Sequence, residues 1–196
     1  SFIFCLDGND IITEPGTLTY SNLKDKNSCR STSMHNVCMI DGVEMNNFNL
    51  NEPFFMKEKS KCFLKITDSN KDKIHICGRH RAYENIGIEL FERDIILSKK
   101  KGDLSIADKI KADGPYKLEW FFHIPHREVK IIDKAVCIPI DGNNYFLRFF
   151  DDFNKIYIKD SYFHPQYGSS KEGSILCFEK FDDIKISSTY NFKIEK

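Results

Sequence analysis

At 196 residues, with 41% hydrophobic and 13% aromatic residues, the chain can bury a core, and a disordered segment is excluded. Its 29 Lys and Arg balance 29 Asp and Glu, so net charge argues for neither a nucleic-acid partner nor an anionic membrane. No apolar run reaches the length of a bilayer span, and Ser1-Phe2-Ile3-Phe4-Cys5-Leu6 carries no basic segment, so no secretory signal is expected within these residues.

Strand patterns begin at once. Residues 2–6 form an apolar run, and Asp7-Gly8-Asn9-Asp10 separates it from Ile11-Ile12 as a hairpin requires. The strand starts at residue 1 without a lead-in, which predicts either a trimmed chain or another domain before it. Asp41-Gly42, Lys101-Gly102-Asp103, Asp113-Gly114-Pro115 and Asp141-Gly142-Asn143-Asn144 read as further turns, because Gly and Asn tolerate positive φ and Pro115 cannot donate to a ladder. Arg79-His80-Arg81 and Lys99-Lys100-Lys101 read as solvated strand ends and turns. Residues 85–93 are the best helix candidate and fit a strand equally well; no helix with a 3.6-residue period is predicted.

Leu118, Trp120, Phe122 and Ile124 share one face, while Phe121 and His123 make the other face apolar enough for burial on both sides. At the C-terminus Ile184, Ile186, Ser188, Tyr190, Phe192 and Ile194 alternate with polar neighbours, the period of a half-buried strand. The 17 phenylalanines suit packed sheet faces. These runs predict an all-β fold over residues 1–196, a two-layer antiparallel β-sandwich of many short strands forming a single domain.

Seven cysteines occur singly, without a C-x-x-C pair, and their odd number does not suit a disulfide framework. Val37-Cys38-Met39 and Leu176-Cys177-Phe178 predict free cysteines in the core.

Residues able to carry chemistry concentrate between Ile11 and Phe48. Glu14 precedes the stiff Pro15-Gly16 turn, and His35 stands among polar residues before an apolar run. Two neighbouring strand ends holding them would make either a hydrogen-bonded pair or two ligands of a zinc ion. Each also has an ordinary reading, an exposed carboxylate and a structural histidine. Arg30 suits a sugar carboxylate or an internal Asp. Tyr20 suits a cleft wall or a half-buried sheet position. His123 and His126, three apart in an extended chain, point to opposite faces. His164 beside Pro165 reads as a loop residue.

The order Ser1-Phe2, Glu14-Pro15-Gly16-Thr17, Tyr20, Arg30-Ser31-Thr32, His35-Asn36 and Asp41-Gly42 resembles the start of the C-terminal β-sandwich of heparinase II/III-like polysaccharide lyases. Looser matches at Phe91-Glu92-Arg93, residues 104–108, residues 120–125 and Pro165-Gln166-Tyr167-Gly168 carry the likeness along nearly the whole chain. The resemblance implies β-elimination on uronate-containing acidic polysaccharides. It places the main Asn, His and Tyr catalytic groups on a preceding α/α-toroid domain, with the sandwich closing the cleft and often holding a metal.

On that resemblance His35 is a catalytic candidate, Tyr20, Arg30 and Asn36 are substrate-binding candidates, and Glu14 and His35 match metal ligands, for zinc or another divalent cation. Two features depart from the pattern. Glu14 stands where the family usually has Asp, and the family's His-rich element before the Ser-Phe strand lies outside the chain. Two protein donors are too few for a stable zinc site. The expectation is therefore a chain inactive alone and unlike a complete metal centre, partnered by the toroid and acidic polysaccharide, and periplasmic or secreted. The Asn- and Lys-rich composition loosely fits a bacterial origin. A noncatalytic carbohydrate-binding sandwich, with Trp120, Tyr145 or Tyr157 stacking on sugar rings, or a purely structural sandwich is the competing reading.

Overall fold

A computed structural model describes residues 1–49, 51–52 and 54–196, leaving aside the side chains of residues 23–26. Strand accounts for 60% and helix for 5%. In chain order the elements are β1 (Phe4–Leu6), β2 (Asn9–Ile12), α1 (Leu23–Arg30), a 3-10 turn at Thr32–Met34, β3 (Cys38–Ile40), β4 (Asn47–Phe48), β5 (Met56–Lys57), β6 (Phe63–Ser69) and β7 (Lys73–His80). A second 3-10 turn at Glu84–Ile86 precedes β8 (Ile88–Ser98), β9 (Leu104–Ile124), β10 (Lys130–Ile132), β11 (Ala135–Ile140), β12 (Asn143–Phe149), β13 (Lys155–Phe163) and β14 (Lys171–Glu195). No helix among the described residues is long and apolar enough to cross a membrane. All seven cysteines are free, and Cys38, Cys77 and Cys177 are buried.

Contacts divide the chain into two compact units. The first comprises residues 1–59, 117–129 and 153–181, and the second residues 60–116, 130–152 and 182–196.

In the first unit β1 and β2 form the expected hairpin, its two-residue turn set by Asp7 at φ 54° and Gly8 at φ 80°. β3 pairs antiparallel with β9 from Cys38–Trp120 to Ile40–Leu118, and β13 pairs with β14 from Lys155–Glu179 to Phe163–Lys171. β9 is buried on both faces here. Trp120 meets Phe153 edge-on at 5.6 Å, and Phe122 meets Phe178 edge-on at 5.9 Å. On the opposite face Phe121 packs with Ile175 and Cys177, flanked by Met34, Met39 and Tyr157.

In the second unit β6, β7, β8 and the first half of β9 form an antiparallel run, and β10, β11, β12 and the end of β14 form another. Along β9, Leu104, Ile106, Ile110 and Ala112 face inward, and so does the fully buried Asp108. Arg93 answers that charge with a two-pronged pair, Nε to Oδ1 at 2.5 Å and Nη2 to Oδ2 at 2.5 Å.

Three expectations need correction. An eight-residue helix, α1, is present. Its sequence Leu-Lys-Asp-Lys-Asn-Ser-Cys-Arg has no apolar stripe for a periodicity argument to detect. Asp113-Gly114-Pro115 does not end a strand: β9 runs through it for 21 residues, with Gly114 at φ 137°. Pairing with β8 stops at Ala112, so the missing N–H of Pro115 removes no bond to β8. Thirdly, the C-terminal alternation breaks once along β14, which spans 25 residues. Along it Ile184, Tyr190, Phe192 and Ile194 are buried as the alternation predicts, but Ile186, at φ 74°, turns out to solvent.

Candidate functional site

Glu14 and His35 meet in the first unit. Glu14 follows β2 on a segment pinned at both ends, with Thr13 N donating to His123 O at 2.8 Å and His164 N donating to Pro15 O at 2.7 Å. Gly16 has φ 69°, and a Cβ built on it would overlap the carbonyl oxygen of His164, so the turn holding Glu14 demands glycine twice over. His164 is thus fixed against this turn and not simply a loop residue. His35 closes the 3-10 turn Thr32–Met34, its N–H donating to Thr32 O at 3.2 Å. Its Nδ1 lies 2.5 Å from Glu14 Oε2.

The other carboxylate oxygen of Glu14 accepts from the Ser1 hydroxyl and from Asn36 Nδ2 at 2.9 Å. Asn36 is completely buried. Its Nδ2 also reaches Phe2 O at 2.9 Å and Thr13 O at 2.7 Å, while its Oδ1 accepts from His123 N at 2.7 Å. Asn36 therefore ties three segments together beneath the pair. Expected to touch substrate, it sits instead in the scaffold that aims Glu14.

Burial works to raise the Glu14 carboxyl, but hydrogen bonds from His35 and Ser1, the charge of His35 and the Asn36 N–H hold it below its ordinary value. An ionised Glu14 places the proton on His35 Nδ1 and leaves Nε2 for an incoming group. The His35 side chain is 36% exposed, against 25% for Glu14. His123 lies beside them with Nε2 donating to Ser33 O at 3.1 Å, and burial lowers its pKa to about 4. It is a neutral structural imidazole, and His126, bonded to Asp10 O at 3.0 Å, is engaged elsewhere.

A metal fits this donor set poorly. Glu14 and His35 supply two ligands whose nearest atoms already share a proton, and His123 Nε2 is committed to a carbonyl. A closed zinc site takes four protein ligands and a catalytic one three. The arrangement matches a carboxylate–imidazole dyad, in which the carboxylate fixes ring orientation and tautomer.

Arg30 is occupied internally. Its Nη1 donates to Asn27 Oδ1 at 3.1 Å and Glu52 O at 3.2 Å, its Nη2 to Phe55 O, and its guanidinium lies 4.6 Å from the Phe48 ring centre. Tyr20 is half exposed, stacks on Tyr167 at 5.9 Å and meets Phe54 at 5.6 Å. An open cleft of about 520 Å³ in the same unit is lined by Leu18, Met34, Tyr162, His164 and Ile175, among others. Two of the aromatics proposed for sugar stacking need correction: Trp120 and Tyr145 are completely buried, whereas Tyr157 is partly buried with the Lys155 and Lys159 ammonium groups beside its ring.

Sequence reasoning missed Glu44. Its carboxylate accepts from Ser31 Oγ at 2.8 Å and from Thr32 N and Oγ1, each at 2.6 Å, building the turn that presents His35. No local pattern joins Ser31-Thr32 to a carboxylate twelve residues on. His123 was legible only as a core residue.

The heparinase II/III-like C-terminal family model matches residues 1–189. The chain belongs to that family. Among solved structures it resembles a heparinase III, the BT4657 gene product with methylated lysines, at 16% identity and TM-score 0.78, covering 97% of this chain and 28% of that one. It also resembles the heparan sulfate lyase HepC from Pedobacter heparinus at 14% identity and TM-score 0.77, covering 96% of this chain and 28% of that one. At these identities the likeness establishes the fold, the β-sandwich of the heparinase C-terminal family. The chain spans little more than a quarter of either structure. No curated protein matches it significantly.

Proposed function

We propose that the chain is the C-terminal β-sandwich of a polysaccharide lyase that cleaves uronate-containing acidic polysaccharides by β-elimination. In that reaction a base removes the proton beside the uronate carboxylate and the glycosidic C–O bond breaks, leaving an unsaturated sugar. A weakly acidic proton requires a partner that offsets the carboxylate's charge. The reading assigns the main catalytic groups to an α/α-toroid domain of the same protein and gives this chain the wall of the cleft. His35, oriented by Glu14, meets the acidic substrate through Nε2, as a hydrogen-bond partner or a positive charge. A divalent cation at the pair would need ligands from beyond the described residues.

The observation that carries this reading is the Glu14–His35 dyad, held by Asn36 at positions matching the family pattern. A lyase assay on a panel of uronate polysaccharides, following the ultraviolet absorbance of the unsaturated product, tests it. Activity is expected in the full-length parent and not in this chain alone. Turnover by the isolated chain would show that the catalytic residues are misplaced.

A second reading has an observation of its own. Tyr20, Phe54 and Tyr167 form a solvent-facing aromatic group, which suits stacking on sugar rings in a noncatalytic carbohydrate-binding domain. A parent inactive on every acidic glycan, with binding lost in Tyr20→Ala, would favour it.

A further inference from the structure

The second unit holds a cluster that the lyase reading does not use. β7 and β8 pair antiparallel with Cys77 directly opposite Asp94 and Arg79 opposite Glu92. Alternation along a strand puts His75, Cys77 and Arg79 on one face of β7, level with Glu92 and Asp94 on β8. One ligand atom each from Cys77, Glu92 and Asp94, a sulfur and two carboxylate oxygens, lie within 4.8 Å of one another. Tetrahedral zinc with Zn–S of about 2.3 Å and Zn–O of about 2.1 Å would set such atoms roughly 3.4–3.6 Å apart. The difference is within reach of side-chain rotation.

We propose that Cys77, Glu92 and Asp94 bind a divalent cation of zinc type, with a fourth position open to water. One sulfur and two oxygens suit a borderline-soft ion and discriminate against calcium and magnesium, which take oxygen ligands alone. His75 Nε2 lies 2.6 Å from Asp94 Oδ1 and orients that carboxylate, as a supporting partner of a metal ligand does. Cys77 is buried and both carboxylates are partly buried, so competition from water is reduced. Burial, together with the charges of Asp94 and Glu92, raises the thiol's pKa, so the incoming ion must displace the thiol proton to solvent. It must also displace the Arg79 side chain, which hydrogen-bonds both Glu92 and Cys77. These costs make the site exchangeable, in contrast to a closed structural zinc site.

The test is a cobalt(II) titration of the reduced 196-residue chain, followed by zinc displacement. A thiolate-to-cobalt charge-transfer band in the near ultraviolet is expected, abolished in Cys77→Ser and retained in His35→Ala. Asp94→Asn, which leaves every cysteine in place, should weaken zinc binding at least about tenfold, and His75→Gln about tenfold. Absence of the band in the unmodified chain, or its persistence in Cys77→Ser, overturns the proposal. The ion pairs His75–Asp94 and Arg79–Glu92 would then be the whole purpose of the cluster.

Discussion

Acid should weaken this domain before its carboxylates titrate, because two imidazoles, His123 buried and His80 partly buried, are held in neutral form. Burial lowers the pKa of His123 from 6.5 to about 4 and, together with the charge of Arg93, does the same to His80. His80 stacks on Phe91 at 4.7 Å. Expected as part of a solvated strand end, it packs against the core instead. In the unfolded chain both return to about 6.5, so the unfolded state binds more protons as pH falls. Stability is therefore fully present above about pH 6.5, declines as pH drops, and levels off below about pH 4. At 1.36 kcal/mol per unit, and with each imidazole half protonated in the folded state at pH 4, each loses at most about 3 kcal/mol there. Together this approaches the whole stability of a small domain, ~5–15 kcal/mol. Urea denaturation at half-unit steps from pH 7.5 to 4.5 measures the slope. His123→Gln, which keeps a donor for Ser33 O, should remove about half of it. A free energy that stays constant from pH 7 to 5, or a slope unchanged in the variant, would refute the reasoning.

Other outcomes follow from single contacts. Gly16→Ala should cost about 2 kcal/mol or more by denaturation, because φ 69° and the His164 carbonyl both exclude a side chain, and it should shift the His35 imidazole NMR signals as Glu14 is displaced. Asp108→Ala leaves Arg93, only 10% exposed, without its buried partner, and should lower stability by about 3–5 kcal/mol in the same assay. Ile186→Asn should instead stabilise by about 1 kcal/mol, seen as a higher Tm, since a β-branched residue at φ 74° is strained and this side chain is 77% exposed.

Residues that obey a period were legible. The alternation through Leu118, Trp120, Phe122 and Ile124, and the burial of its second face, could be read directly because β9 is covered on both sides. The Asp7-Gly8 and Asp141-Gly142 hairpins were equally plain, since two consecutive positive-φ residues have few other uses. Local rules failed where tertiary context decides. Gly114-Pro115 reads as a turn by composition, yet the strand continues once it no longer needs β8. α1 has no apolar face to announce it.

The site was legible in part. Glu14 and His35 stood out through the family pattern and not through spacing, because 21 residues separate two groups that share a proton. The burial of Asn36 could not be read, because an Asn beside a His in a polar segment looks solvent-facing. Its four partners lie on segments brought together only by folding.

The most direct test of the central claim is the β-elimination rate of the full-length parent with His35→Ala, beside its thermal stability. His35 is partly exposed and its main bond is to Glu14, so the variant should fold with Tm little changed while kcat/KM on a uronate polysaccharide falls at least about a hundredfold. Full activity in a folded His35→Ala parent would contradict the account and leave the dyad a structural feature of the sandwich.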